Sequence, residues 1–301
     1  MSLRPTITVA FPYYSGRAYL AEAIASVQAQ TERNWRLLVV DDAGPEPADE
    51  LVASYGDERM AYVRNDVNRG LAGNWNECIR LARTELVTLL HADDRLLPGY
   101  VAAVLEAAES EPEVAALFTD VEIIGADGRP SRSLPDWVKR RARRLSVDHL
   151  LGGDRDLAGI LSNNYVFCPT LCYRREIVGP APFDDHWRMV MDLDLIAHLL
   201  LHGREVAALR EPLYEYRRHG DNATNALTAS AVRFAEEIAL YRELALEAAE
   251  QGWSRTAKAA RRRRMVRSHL AFRAAIDLVS GRSSAARAKA RMLRDDLRRR
   301  S

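Results

Sequence analysis

The feature that most restricts the fold is an alternation in the first hundred residues: short apolar runs that end in polar or acidic groups, separated by stretches with helical spacing. Thr6-Ile-Thr-Val-Ala-Phe-Pro12 reads as a first strand, followed by a polar turn and an amphipathic helix from Ala18 to Gln28. Trp35-Arg-Leu-Leu-Val-Val-Asp41-Asp42 reads as a second strand, which Ala43-Gly44-Pro45 breaks off. Ala61 to Asn65 is a short third strand, Gly73 to Arg83 a helix, and Leu86 to Leu90 a fourth strand with the composition of one buried on both faces. Pro98 marks the first turn of the next helix. This order predicts an α/β fold: a doubly wound, mostly parallel sheet with helices on both faces and the carboxyl ends of its strands on one rim.

Two acidic pairs fall on that rim, Asp41-Asp42 and Asp93-Asp94. Acids ahead of a helix serve often enough as turn or N-cap residues. Two separate pairs at strand ends, where open α/β sheets place their ligand crevices, are harder to explain by capping alone. Carboxylates are the hard oxygen ligands that Mg²⁺ or Mn²⁺ prefers when it bridges protein to phosphate.

The segments FPYYSGRAYLAEAIASVQAQT, WRLLVVDDAGPEP, NRGLAGNWNECIRLA, LLHADDRLLPGY, CPTLCYRREIV, MDLDLIAHLLLHG and YEYRRHGDNAT resemble, in order, the motifs of family-2 glycosyltransferases with the GT-A fold. The resemblance runs over about residues 4–225. It implies a nucleoside-diphosphate-sugar donor, a hydroxyl acceptor, and Mn²⁺ or Mg²⁺ as cofactor. Phe11, Pro12 and Tyr13 would border the nucleobase, with Asp41 accepting a hydrogen bond from it. Neighbouring strand residues face opposite ways, so Asp42 is assigned to holding the turn. Arg64, Asn68 and Arg69 would close over the base or its ribose. Asp93 would meet the ribose or the metal, and Asp94 would be the principal metal ligand.

The resemblance also assigns the second half of the chain. Asp192 matches the family's catalytic Asp and becomes the general base, although Met191 stands where the pattern has Glu. A base opposite the departing diphosphate implies one displacement with inversion. Asp194, two residues along a helix, faces elsewhere and reads as structural or capping. His219 would return to the metal and diphosphate, with Arg217 and Arg218 on phosphate oxygens. His91 reads as a buried or turn histidine. His198 and His202 share a helix face without an evident third ligand, so core or helix-end positions are expected. Asn163 and Asn164 could meet acceptor hydroxyls, and Trp187 could stack on a sugar ring. The basic stretch 136–144 reads as a lid or a membrane-facing patch.

At 301 residues and 48% hydrophobic, the chain can bury an α/β core with an appendage. The expected division is a transferase domain over residues 1–225, its nucleotide-binding half about 1–120 and acceptor half about 121–225, then a basic helical region over 226–301. No apolar run reaches the roughly 18 residues a bilayer demands, and neither a Gly-x-Gly-x-x-Gly nor a P-loop pattern occurs. Three cysteines make no disulfide framework, and Cys168 and Cys172 on one expected strand would sit about 13 Å apart. A cytoplasmic location follows, with peripheral attachment to the inner face of the plasma membrane left open. The net charge of +1 hides a basic tail whose only acids from Arg255 onward are Asp277, Asp295 and Asp296. Helix packing or a homodimer is the first reading of that tail and an anionic membrane the second. Nucleic acid is set aside for lack of interleaved aromatic residues. The expected function is an inverting, metal-dependent glycosyltransferase for a surface polysaccharide, a glycolipid or a glycosylated metabolite, its acceptor a saccharide, a lipid-linked saccharide or a small metabolite. The alternative, kept open by Met191, is a non-catalytic nucleotide-sugar-binding or assembly module.

Overall fold

The computed structural model describes residues 7–131, 150–163, 165–219 and 227–298. Strands β1 (Ile7–Tyr13), β2 (Trp35–Asp41), β3 (Met60–Arg64) and β4 (Leu86–Leu89) are parallel and lie in the order β3-β2-β1-β4. The chain thus winds outward from β1 to β3 and then crosses to β1's other side. That reversal leaves a crevice beyond the carboxyl ends of β1 and β4, the place where such sheets take ligands. Connecting helices are α1 (Arg17–Gln28), α2 (Asp49–Ser54) and α3 (Gly70–Leu81).

Beyond β4 the sheet turns mixed. β8 (Cys172–Arg174) runs antiparallel to β4 and to β6 (Ala116–Gly125), and β9 (Val206–Arg218) lies parallel to β6 along its whole length. β5 (Arg95–Leu96) and β7 (Leu150–Leu151) add short antiparallel pairs to β9. The β5 segment displaces the expected helix start: Pro98 lies ahead of α4 (Tyr100–Ser110), whose N-cap is Gly99. The expected strand from Cys168 to Tyr173 is a 3-10 turn over Cys168–Thr170 followed by β8. Val9, Phe11, Leu37 and Val39 on one sheet face meet Leu20, Ile24, Tyr100 and Val104 in one core. Burying a side chain such as Phe11 contributes about 2–3 kcal/mol.

The chain divides into two compact units, and the division departs from a simple cut at residue 225. One holds the sheet, over Met1–Leu151, Phe167–His186 and Arg204–His219; the other takes Gly152–Val166, Trp187–Gly203 and Gly220–Ser301. The second unit contains α5 (Gly153–Asn163), α7 (Met191–Leu201), α8 (Val232–Glu250), α9 (Ser254–Arg262), α10 (Arg264–Val279) and α11 (Ser283–Arg298); α6 (Arg175–Val178) belongs to the first.

Acids organise this helical unit from within. Asp154 accepts hydrogen bonds from the Arg255 and Thr256 backbone N–H groups at the start of α9, at 3.0 and 2.7 Å. Asp296 is buried and gathers Arg242, Arg263 and Arg267, while buried Asp277 holds Lys289 at 2.8 Å and Arg282 at 2.9 Å. Two of the tail's three acids are therefore internal hubs, which engage Arg263, Arg267, Arg282 and Lys289 among its basic residues.

Candidate active site

The β2 end is a locked turn. Asp41 is fully buried; one carboxylate oxygen accepts the Gly44 N–H at 2.9 Å and the other accepts the Tyr62 hydroxyl and the Arg64 guanidinium. Arg64 also donates to the Gly44 carbonyl at 2.8 Å. A Cβ on Gly44 would stand 1.7 Å from the Tyr14 carbonyl oxygen, so only glycine fits. Its neighbour Ala43 has φ 54°, a left-handed conformation uncommon for a residue with a side chain. Asp42 faces the other way and accepts from the Asn65 side chain at 2.9 Å and the Arg69 N–H at 2.8 Å, fixing the entry to α3. Asn74 completes that network through Asn65 and the Val40 carbonyl.

The β4 end is different. Asp94 is buried, with the Tyr214 hydroxyl donating to one oxygen at 2.8 Å and the Arg217 N–H to the other at 2.7 Å. Burial and the neighbouring Asp93 charge push its carboxyl well above the ordinary range, against the pull of those donors. Asp93 is only half-buried, and His219 Nε2 lies 2.8 Å from its Oδ2. His91, Asp93 and Asp94 can each turn one ligand atom into a cluster spanning no more than 4.8 Å. The His91 ring lies 5.4 Å from Trp75, and Tyr19 sits 5.4 Å from His219. Two carboxylates with imidazole nitrogens suit Mn²⁺, so these residues fit the implied ion. His91, expected as a buried or turn histidine, is half-buried, and its carbonyl accepts the Asp94 N–H at 3.1 Å.

Several expected contacts give way to packing. Phe11 and Tyr13 are fully buried on the core face of β1, and the Tyr13 hydroxyl donates to the Glu46 carbonyl. Of the three residues expected around the base, Pro12 alone is partly exposed. Arg217 is corrected from a phosphate ligand to a structural residue. Only 1% exposed, it donates to the Asp93 and Ala126 carbonyls and pairs with Glu22 at 2.6 Å. Arg217 and Arg218 are the last two residues of β9, where Arg217 is buried and Arg218 is exposed. Trp187 is buried, so its ring offers no open face to a sugar.

Other residues remain accessible. Arg64 keeps 36% of its side chain exposed, Arg69 keeps 49% and lies 4.0 Å from Glu77, and exposed Asn68 caps the Gly70 N–H. Asn163 is exposed at the end of α5, donating to the Gly159 carbonyl; Asn164 and the basic stretch 136–144 lie outside the described residues.

In the helical unit, Asp192 is half-buried in the first turn of α7, and Met191 is buried. Asp194 turns away, and one of its carboxylate oxygens lies 3.1 Å from His198 Nδ1. Buried Glu237 of α8 has its carboxyl pushed up, mainly by burial, with the charge of Asp192 adding and that of Arg233 opposing. A carboxylate from another helix thus stands in the field of Asp192, where the chain itself supplies Met191. His202 Nδ1 donates to the His198 carbonyl at 2.7 Å, as a helix-end residue does.

The nine-stranded sheet is parallel through β3-β2-β1-β4 and carries acids and histidines near the point where its strand order reverses. The chain belongs to glycosyl transferase family 2: the family model matches residues 8–168, more than half of its length. It is 33% identical over 156 residues to the O-antigen biosynthesis protein RfbC of Myxococcus xanthus, covering 50% of this chain and 12% of that one. It is 26% identical over 216 residues to the succinoglycan biosynthesis protein ExoO of Rhizobium meliloti, covering 71% and 61%. The chain thus spans a small part of RfbC and less than two thirds of ExoO. Among solved structures it resembles S. aureus TarS in complex with UDP-GlcNAc, with a TM-score of 0.63 and 16% identity over 79% of this chain and 66% of that one. That likeness shows the GT-A fold. Among the described residues no helix is long and apolar enough to cross a membrane.

Proposed function

We propose that the chain transfers a sugar, with inversion, from a nucleoside-diphosphate sugar to a hydroxyl acceptor during synthesis of a surface polysaccharide. The observation that carries this reading is the cluster of His91, Asp93 and Asp94 at the β4 end, with His219 on Asp93. The relatives RfbC and ExoO, named for O-antigen and succinoglycan biosynthesis, support the polymer, and UDP-GlcNAc on TarS supports the donor class.

In this reading Asp93, Asp94 and His91 would hold Mn²⁺ or Mg²⁺, with His219 beside Asp93. A divalent cation there supplies positive charge to the departing diphosphate. Exposed Arg218 meets phosphate oxygens, and Arg64, held flat by Asp41 and the Gly44 carbonyl, lies against the base. Asp192 takes the proton of the acceptor hydroxyl onto its carboxylate as that oxygen attacks.

Calorimetric titration of UDP, GDP and dTDP with and without Mn²⁺, paired with turnover, tests the proposal. Asp93→Asn is expected to weaken Mn²⁺-dependent binding at least about tenfold, a loss of about 1.4 kcal/mol. Asp192→Asn is expected to bind as the wild type does while transfer falls by about 10²-fold or more. Nucleotide affinity that ignores Mn²⁺ in the wild type would refute the metal role, and full turnover by Asp192→Asn would refute the base.

A further inference from the structure

Helices α10 and α11 form a hairpin whose outer surface combines two features rarely left bare together. On α10 the packed seam is Val266, Leu270 and Asp277. At about 100° per residue, Met265, Phe272 and Val279 fall on the opposite side as a stripe spaced by seven. They are 40%, 62% and 89% exposed; Leu278, 65% exposed, lies about 100° round the helix from Val279. On α11 the seam is Ala286, Lys289 and Asp296. Away from it, Arg287, Arg291, Arg294 and Arg298 stand at i, i+4, i+7 and i+11, all exposed, within about 40° of one line. Of the acids on the two helices, Asp277 and Asp296 are consumed inside, and Asp295 is the one at the surface.

We propose that this hairpin is a docking surface for a bilayer rich in anionic phospholipid, with the α10 stripe entering the headgroup boundary and the α11 arginines meeting lipid phosphates. Charge decides the occupant. A second copy seated symmetrically on the same face would bring arginine against arginine, whereas an anionic leaflet is complementary to every one of them. Nucleic acid would satisfy the arginines but leave Phe272, Leu278 and Val279 without a partner, and a bilayer interface takes both faces at once. The inference is independent of the donor site, since none of these residues belongs to it.

Co-sedimentation of the full chain with phosphatidylcholine vesicles, with and without about one-third phosphatidylglycerol, provides the test. The wild type is expected in the pellet with anionic vesicles and in the supernatant with neutral ones. Each lost arginine should cost about fivefold in partitioning, so Arg287→Glu with Arg291→Glu should cost about twentyfold or more. Phe272→Ser with Val279→Ser should lose at least about tenfold, because both buried apolar groups go. All four side chains are exposed, and circular dichroism checks that the variants keep the wild-type fold. Failure of the wild type to sediment, equal binding to neutral vesicles, or undiminished binding by either double variant would overturn the proposal. So would a dimer in sedimentation velocity that Phe272→Ser with Val279→Ser splits while vesicle binding is unchanged.

Discussion

The two acidic pairs at the ends of β2 and β4 look alike in sequence and are used differently. At β2 both carboxylates are spent on the protein: Asp41 ties Gly44, Tyr62 and Arg64, and Asp42 ties Asn65 and Arg69. At β4 the labour is divided, with Asp94 buried against Tyr214 and β9 while Asp93 stays accessible beside His219. The backbones differ as well: Asp41 is the last residue of β2, whereas Asp93 lies in a turn closed by the Asp94 N–H on the His91 carbonyl at 3.1 Å. Asp192 and Asp194 repeat the division on a helix, where a two-residue step turns the side chain away.

The largest expected effect breaks the β4 pair from its buried side. Asp94→Ala would leave the Tyr214 hydroxyl and the Arg217 N–H buried without acceptors, at a cost of about 3 kcal/mol in stability. Urea denaturation measures it. Asp93→Ala, with a half-buried carboxylate, should move the same midpoint by under about 1 kcal/mol. Equal losses from the two would mean that both acids serve the fold.

A smaller effect is expected at β2. Asp41→Ala removes more hydrogen bonds than Asp94→Ala, yet Arg64 is 36% exposed and can turn to water. Its cost should be about 1–2 kcal/mol, and less than that of Asp94→Ala in the same experiment. The reverse ranking would show that the number of bonds, not the solvent access of the abandoned partners, sets the cost.

The first four strands were legible because buried parallel strands are continuous apolar runs, and β1 to β4 fall within a residue or two of the expected ranges. Alternation separated Asp41 from Asp42, but it is Asp41 that holds the turn through the Gly44 N–H, while Asp42 fixes the entry to α3. What escaped depends on partners distant in sequence. β5 is two residues long and exists through its pairing with β9, so it carries no period of its own. Arg217 looked like a phosphate ligand because its acceptors, Glu22 and the Asp93 and Ala126 carbonyls, arrive from three remote segments. The tail's basic character was plain, but a composition does not tell that Asp277 and Asp296 lie inside.

The smallest effect concerns the committed member of the third pair. His198 Nδ1 faces Asp194, its Nε2 lies 3.2 Å from Glu247 of α8, and His202 stacks loosely at 6.4 Å. The hydrogen bond to Asp194 is the main cause that lifts the His198 pKa to about 9, with burial opposing it. A histidine raised above its unfolded value near 6.5 stabilises the fold fully below that pH and loses the contribution as pH rises toward 9. Because 38% of the side chain is exposed, solvent screening leaves about 1 kcal/mol. Urea midpoints should therefore fall between about pH 6 and about pH 9.5 in the wild type, and His198→Gln should remove that part of the slope. An unchanged slope in the variant would mean that Asp194 is neutralised by something other than this imidazole, and that the division of labour stops at the strand ends.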